Sequence, residues 1–213
     1  MSWITLDNDR KKEIITQVSN ENEISPNAIE KDWWVTTVLR ALFQSKCATV
    51  LIFKGGTSLS KGWGIIKRFS EDIDLAIDRE YFDFSELESR EFSQQLLELR
   101  RRNYHYVQDS LISELKEILH QAGINNIDIE FASSKDSRTD PVVLLVKYES
   151  LFPTMEYVQP WVKIEMNCRS LHEPFEEIKM NSLISLAYPK ASFVEPSFVV
   201  KTVLPTRTFL EKI

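Results

Sequence analysis

Lys54 to Asp78 reads K-G-G-T-S-L-S-K-G-W-G-I-I-K-R-F-S-E-D-I-D-L-A-I-D, and the fold follows from how this stretch divides. The apolar, β-branched run Thr49-Val50-Leu51-Ile52-Phe53 before it predicts a buried strand. Gly55-Gly56 breaks that strand, and Thr57-Ser58 predict the cap of a short helix. Asp72-Ile73-Asp74-Leu75-Ala76-Ile77 alternates polar and apolar and predicts a second strand. Residues two apart on a strand share a face, so Asp72 and Asp74 project together, roughly 6–7 Å apart at Cα, while Ile73, Leu75 and Ile77 enter a core.

Two carboxylates side by side repel each other and raise at least one pKa unless a cation lies between them. Hard divalent ions such as Mg²⁺ or Mn²⁺ take oxygen ligands of this kind and bring phosphates with them. Upstream, Gly55-Gly56 lets backbone approach a ligand closely. A helix opening at Thr57 aims free N–H groups and its positive dipole end at an anion. Gly55, Gly56, Thr57 and Ser58 are therefore the candidate phosphate cradle, with Lys61, Lys67 and Arg68 as local basic groups, and Asp72 and Asp74 are the candidate metal ligands. Each half alone also reads as ordinary structure, a turn with its cap or a solvated strand edge. Their conjunction across one short loop favours a metal-bound nucleoside triphosphate (NTP). The stretch is not a Walker A loop: counted from Gly55, the second glycine of that motif would fall at Ser60, and Lys61 is followed by Gly62.

The chain has 213 residues, 43% of them hydrophobic and 27% charged, which suits one α/β domain or a domain with a helical appendage. The formal charge of −6 excludes a broadly basic nucleic-acid surface and leaves only local patches such as Arg100-Arg101-Arg102. No apolar run approaches the ~20 residues that span a bilayer, so no membrane association is expected. The N-terminus lacks the basic start and apolar core of a signal peptide. Cys47 and Cys168 are isolated and fit a reducing, cytoplasmic setting; His105, His120 and His172 have no partner at ligand spacing.

Outward from the central stretch, residues 8–20 predict an amphipathic helix, and Ser25-Pro26 cap and open a second. Residues 86–121 repeat apolar positions at three and four and predict one long helix stopped by Gly123. The period then changes to two: 127–131, 142–148 and 162–167 predict strands, as does 198–204. Past Arg169 the chain reads as irregular, with prolines at 174, 189, 196 and 205. The expected fold is α/β (α+β): a mixed twisted sheet of about five strands, helices on one side, and an N-terminal helical pair.

Gly55-Gly56 ahead of Asp72-x-Asp74 resembles the signature of the polymerase-beta-type nucleotidyltransferase superfamily. The fuller string G-G-T-S-L-S-K, then R-F-S-E-D-I-D-L, resembles the AbiEii/AbiGii toxin family, which includes the MenT toxins. Ile29-Glu30-Lys31-Asp32-Trp33-Trp34-Val35 is similar to a segment this family carries before its glycines. Lys31 and Asp32 thus read either as neighbours of the site or as a helix-surface pair beside core tryptophans. The resemblance implies a third carboxylate from a later strand. Glu165, on the polar face of 162–167 with Lys163 and Asn167, fits by period and position, and Glu130 is the alternative. It also implies that Lys212, in a segment like the family's R-T-F-x-E-K, is catalytic, and that Arg207 helps bind the triphosphate.

On this resemblance the whole of 1–213 is a nucleotidyltransferase domain: N-terminal helices over 1–45, a catalytic core over 49–170, and the start of a C-terminal region over 171–213. The chain ends at Ile213, before the helical C-terminal region that the family normally carries, so a short or truncated member is expected. The implied activity is Mg²⁺-dependent transfer of a nucleotide from NTP to an RNA, such as a tRNA, by the toxin half of a toxin–antitoxin pair with a cognate antitoxin. The alternatives are a catalytically incomplete module that binds nucleotide or a partner, and transfer to a small-molecule or protein hydroxyl.

Overall fold

The computed structural model describes residues 2–66, 69–84, 92–155, 157–168 and 174–210. Its centre is a mixed seven-stranded sheet in the order β3-β4-β5-β2-β1-β7-β6. The strands are β1 (Leu51–Lys54), β2 (Ile73–Ile77), β3 (Ile127–Phe131), β4 (Val142–Tyr148), β5 (Trp161–Asn167), β6 (Phe175–Met180) and β7 (Phe198–Val203). β2 pairs antiparallel with β1 and parallel with β5, and β1 continues parallel to β7. Sheet and helices together make the α/β fold expected.

Period-two alternation divides the sheet into two faces. Phe53, Ile73, Leu75, Leu144, Ile164 and Met166 are fully buried on one of them. There they join one core with Trp33, Val38 and Leu42 of α2 (Pro26–Leu42) and Leu115 of α5 (Ile112–Gln121). Asp74, Lys163 and Glu165 alternate with these residues and face the other way. Beside them, Ile52, Ala76 and Val203 form a small separate apolar cluster.

The N-terminal helical pair forms as expected. Asp7 caps α1 (Asn8–Asn22) by accepting from the Arg10 N–H at 2.8 Å, and Ser25 caps α2 ahead of Pro26 by accepting from the Ala28 N–H. Gly123 adopts φ +88 just past α5, as a helix stop requires.

Four expectations are corrected. The strand expected at Thr49 begins at Leu51, because Ala48–Val50 forms a 3₁₀ turn. The long helix expected over 86–121 is α4 (Phe92–Tyr106) and α5, joined through a wide π turn at Val107–Leu111; its first residues, to 91, lie outside the described residues. The sheet has seven strands rather than about five. Six of them lie at the stretches read as strands, and the seventh is β6, in the stretch read as irregular; it pairs with β7, so 175–203 completes the central sheet. Glu176, Glu177 and Lys179 hide this strand from a hydrophobic reading because it is an edge, where charge blocks further pairing. Two short helices, α6 (Leu183–Ala187) and α7 (Pro205–Leu210), flank the hairpin.

Ile164 is fully buried on β5 between Ile73 and Leu144. Ile164→Ala is expected to lower stability by about 2–5 kcal/mol, the range for a buried aliphatic truncation. Urea unfolding monitored by circular dichroism measures it, with an unchanged m-value expected.

Candidate active site

β1 ends at Lys54, and Gly55 turns the chain with φ +76, a conformation L side chains rarely adopt. A second constraint acts at the same residue. A Cβ on Gly55 would lie 1.9 Å from Asp74 Oδ2, so the aspartate carboxylate occupies the space a side chain there would fill. The antiparallel register of β1 and β2 causes this, since it sets Lys54 opposite Asp74.

The helical turn after the corner opens at Gly55, not at Thr57. α3 (Gly55–Thr57) runs into a wide π turn over Ser58–Gly62. The Thr57 hydroxyl is not a cap; it donates to the Asp72 carbonyl at 2.5 Å and bonds the Ser70 hydroxyl at 2.8 Å, tying the corner to the entry of β2. Ser58 is fully buried, and both its hydroxyl and its N–H donate to the Gly55 carbonyl. Of the expected cradle, Thr57 and Ser58 therefore use their hydroxyls internally.

The acids gather through strand pairing. Asp74 lies directly across from Glu165 on parallel β5, and Asp72, one residue before β2, falls beside Lys163. The Lys163 ammonium is 3.8 Å from Asp72 Oδ2 and ion-paired with Glu165. Glu130 lies on β3, three strand spacings or about 14 Å from β2, where it pairs with Lys147. Register thus places Glu165, and not Glu130, beside the aspartates.

Burial pushes the Asp74 carboxyl up to about 6, helped by the charges of Glu165 and Asp72 and a hydrogen bond with Glu165, and opposed by Lys54. Burial also raises Asp72, against the nearby ammonium of Lys163. The Lys163 ammonium is held protonated above its ordinary range, mainly by its hydrogen bond with Glu165.

These features test whether a divalent ion suits the site. The donors are carboxylate oxygens, the type Mg²⁺ and Mn²⁺ prefer, and their mutual repulsion is what a dication relieves. Among the described residues, however, no three such side chains already converge as a cage. Lys163 stands between Asp72 and Glu165, so the set fits an ion once that ammonium turns away.

The remaining expected residues are more scattered. Lys61 is paired with Asp32 at 2.5 Å and nearly buried, so its ammonium is committed to the protein. Arg207 is on α7, which follows β7; because β7 runs parallel to β1, α7 begins at the same end of the sheet as the glycine corner. Arg68 and Lys212 lie outside the described residues. The sequence reading missed Lys163, although it sits two residues before Glu165 on the same polar face, a spacing that does mark it. It also missed the Lys31–Glu71 pair, 2.6 Å long, for which no local pattern signals a partner.

A glycine corner packed on one aspartate of a paired set, with a glutamate on the neighbouring strand, places the chain in the nucleotidyltransferase class of folds. The profile described as nucleotidyl transferase AbiEii toxin, type IV toxin–antitoxin system, matches residues 37–213, and the chain belongs to this family. Among solved structures it is similar to MenT4, a nucleotidyltransferase toxin of Mycobacterium tuberculosis H37Rv, with TM-score 0.53 and 22% identity. That similarity covers 93% of this chain and 57% of MenT4, and at this identity it speaks for the fold. No curated protein matches the sequence.

Two outcomes test the geometry. Gly55→Ala meets both an unfavourable φ and the Asp74 carboxylate, and is expected to destabilise by at least about 1–3 kcal/mol, read as a fall in Tm. A raised carboxyl pKa means the folded protein holds a proton the unfolded chain has lost, so stability declines as pH rises from about 4 to about 6. Asp74→Asn should reduce that slope, leaving the share due to Asp72, and stabilise the EDTA-treated protein at neutral pH by roughly 1–3 kcal/mol; melting curves across pH measure both.

Proposed function

We propose that the chain carries out metal-dependent nucleotidyl transfer from an NTP to an RNA hydroxyl, such as the 3′ end of a tRNA, as the toxin of a toxin–antitoxin pair. The observation that carries this reading is the cross-strand placement of Asp74 beside Glu165 with Gly55 packed against it. Mg²⁺ or Mn²⁺ held by Asp72, Asp74 and Glu165 would neutralise the triphosphate and acidify the acceptor hydroxyl.

The chain's own groups do the rest. The N–H groups of Gly56 and Thr57 face the outer phosphates, and a backbone without a side chain at 56 lets them approach. Glu165 and Asp74 hold the acceptor oxygen in line with the α-phosphate. Lys163, released from its carboxylates, supplies positive charge to the leaving pyrophosphate. Arg207 approaches from the end of the sheet where β1 and β7 finish, and the resemblance to the family adds Lys212 to the triphosphate-binding groups. Lys61 contributes only if its pair with Asp32 opens. Positioning and charge neutralisation supply most of the rate in such a site. Family membership supports the toxin role and a cognate antitoxin. The RNA acceptor and the choice of NTP rest on the resemblance to MenT toxins. A cytoplasmic setting, where NTP and tRNA are at hand, agrees with two cysteines that form no disulfide.

One feature favours a second reading, a nucleotide- or partner-binding module without turnover: Lys163 already neutralises two of the three acids. Incubating the protein with each labelled NTP, Mg²⁺ and total tRNA separates the readings. Labelled RNA is expected, and Asp72→Ala with Asp74→Ala should abolish it together with Mg²⁺-dependent NTP binding by calorimetry. Label on a protein band or small molecule reassigns the acceptor, and binding without labelling selects the second reading. MgNTP binding undiminished in the double variant overturns the site.

A further inference from the structure

Charged side chains are seldom fully buried, and three in a row are rarer still. Glu30, Lys31 and Asp32 on α2 are 4%, 2% and 9% exposed. They precede the region of the chain that the family profile matches. Successive helix positions point about 100° apart, and each of these side chains reaches a different segment. Glu30 accepts from the Ser150 hydroxyl at 2.6 Å and the Leu151 N–H at 2.8 Å, in the connection between β4 and β5. Lys31 pairs with Glu71 at 2.6 Å, immediately before Asp72. Asp32 pairs with Lys61 at 2.5 Å, in the turn that leaves the glycine corner, and accepts from the Leu183 N–H at 2.7 Å.

Two of these contacts grip the two halves of the candidate site. The Lys31–Glu71 pair fixes the entry to β2, and the Asp32–Lys61 pair fixes the turn that follows Gly55-Gly56. The Thr57 hydroxyl on the Asp72 carbonyl joins the two halves directly. Helix, corner and strand entry therefore form a closed triangle whose three sides are polar contacts. Buried ion pairs seldom stabilise a protein more than apolar side chains of similar size, because desolvation offsets the attraction. What such a pair supplies, and an apolar contact does not, is a defined separation and direction.

We propose that Lys31 and Asp32 are positioning residues for nucleotidyl transfer: two struts from one helical turn that hold the glycine corner and the Asp72–Asp74 strand at a fixed separation. The inference rests on the site reading above, so Asp72→Ala with Asp74→Ala is measured first. Retention of MgNTP binding there overturns that reading and this inference with it.

With that control in hand, Lys31→Met, Glu71→Gln, Asp32→Asn and the Lys31→Met/Glu71→Gln double variant are compared with the parent well below their melting temperatures. Each single variant is expected to lower kcat about tenfold to hundredfold, as an ångström-scale misplacement does. Each should also raise the Mg²⁺ concentration for half-maximal rate by about fivefold or more. The double variant should be no worse than the poorer of its two singles, since both break one strut. A role in folding alone lowers Tm yet leaves kcat and the Mg²⁺ requirement at parental values, and that result overturns the inference. So does additive loss in the double variant. Should Lys31→Met fail to fold, Glu71→Gln decides, because Glu71 is one-third exposed and its removal leaves the core packed.

Discussion

The close approach of Asp74 to the backbone of Gly55 is the constraint on which the rest of the site depends. A carboxylate oxygen takes the volume that any side chain at position 55 would need. The corner must therefore be glycine for space as well as for its positive φ, and β1 must end where β2 presents its aspartate. The pairing of Lys54 with Asp74 sets that register, and the parallel pairing of β2 with β5 extends the row to Glu165. One row of the sheet thus carries the corner, the aspartate and the glutamate.

The sheet makes this row affordable by separating its two tasks by face. Isoleucine, leucine and phenylalanine at alternate positions supply the core, so the intervening positions are free to carry charge. The charge is not free of consequence. Burial and mutual repulsion push Asp74 up to about 6, and Lys163 moderates its neighbours. Crowded carboxylates cost the folded protein stability, and the cation proposed above would relieve that repulsion. The buried charges of α2 follow the same logic from the opposite side of the chain, exchanging apolar packing for fixed geometry.

Much of the site is legible because strands and glycines write locally. Asp72 and Asp74 share a face by parity, and Gly55 announces a corner. Other features depend on partners distant in the chain. Glu165 and Glu130 sit on strands with the same alternation, and only the order β3-β4-β5-β2 separates a neighbour of Asp74 from a residue at the far edge. Lys61 looks like a phosphate ligand beside a glycine turn until Asp32, 29 residues earlier, is found against it. β6 escapes a hydrophobic reading because an edge strand protects itself with charge.

The sequence by itself determined six of the seven strands, the corner and the parity of the carboxylates, because each follows from local backbone preference and the spacing of apolar side chains. Tertiary structure alone decided which acid lies beside them, which lysines are already ion-paired, and how a buried helix braces the whole. These depend on strand order and on ion pairs between residues far apart in the chain, and neither is encoded in any short stretch of it.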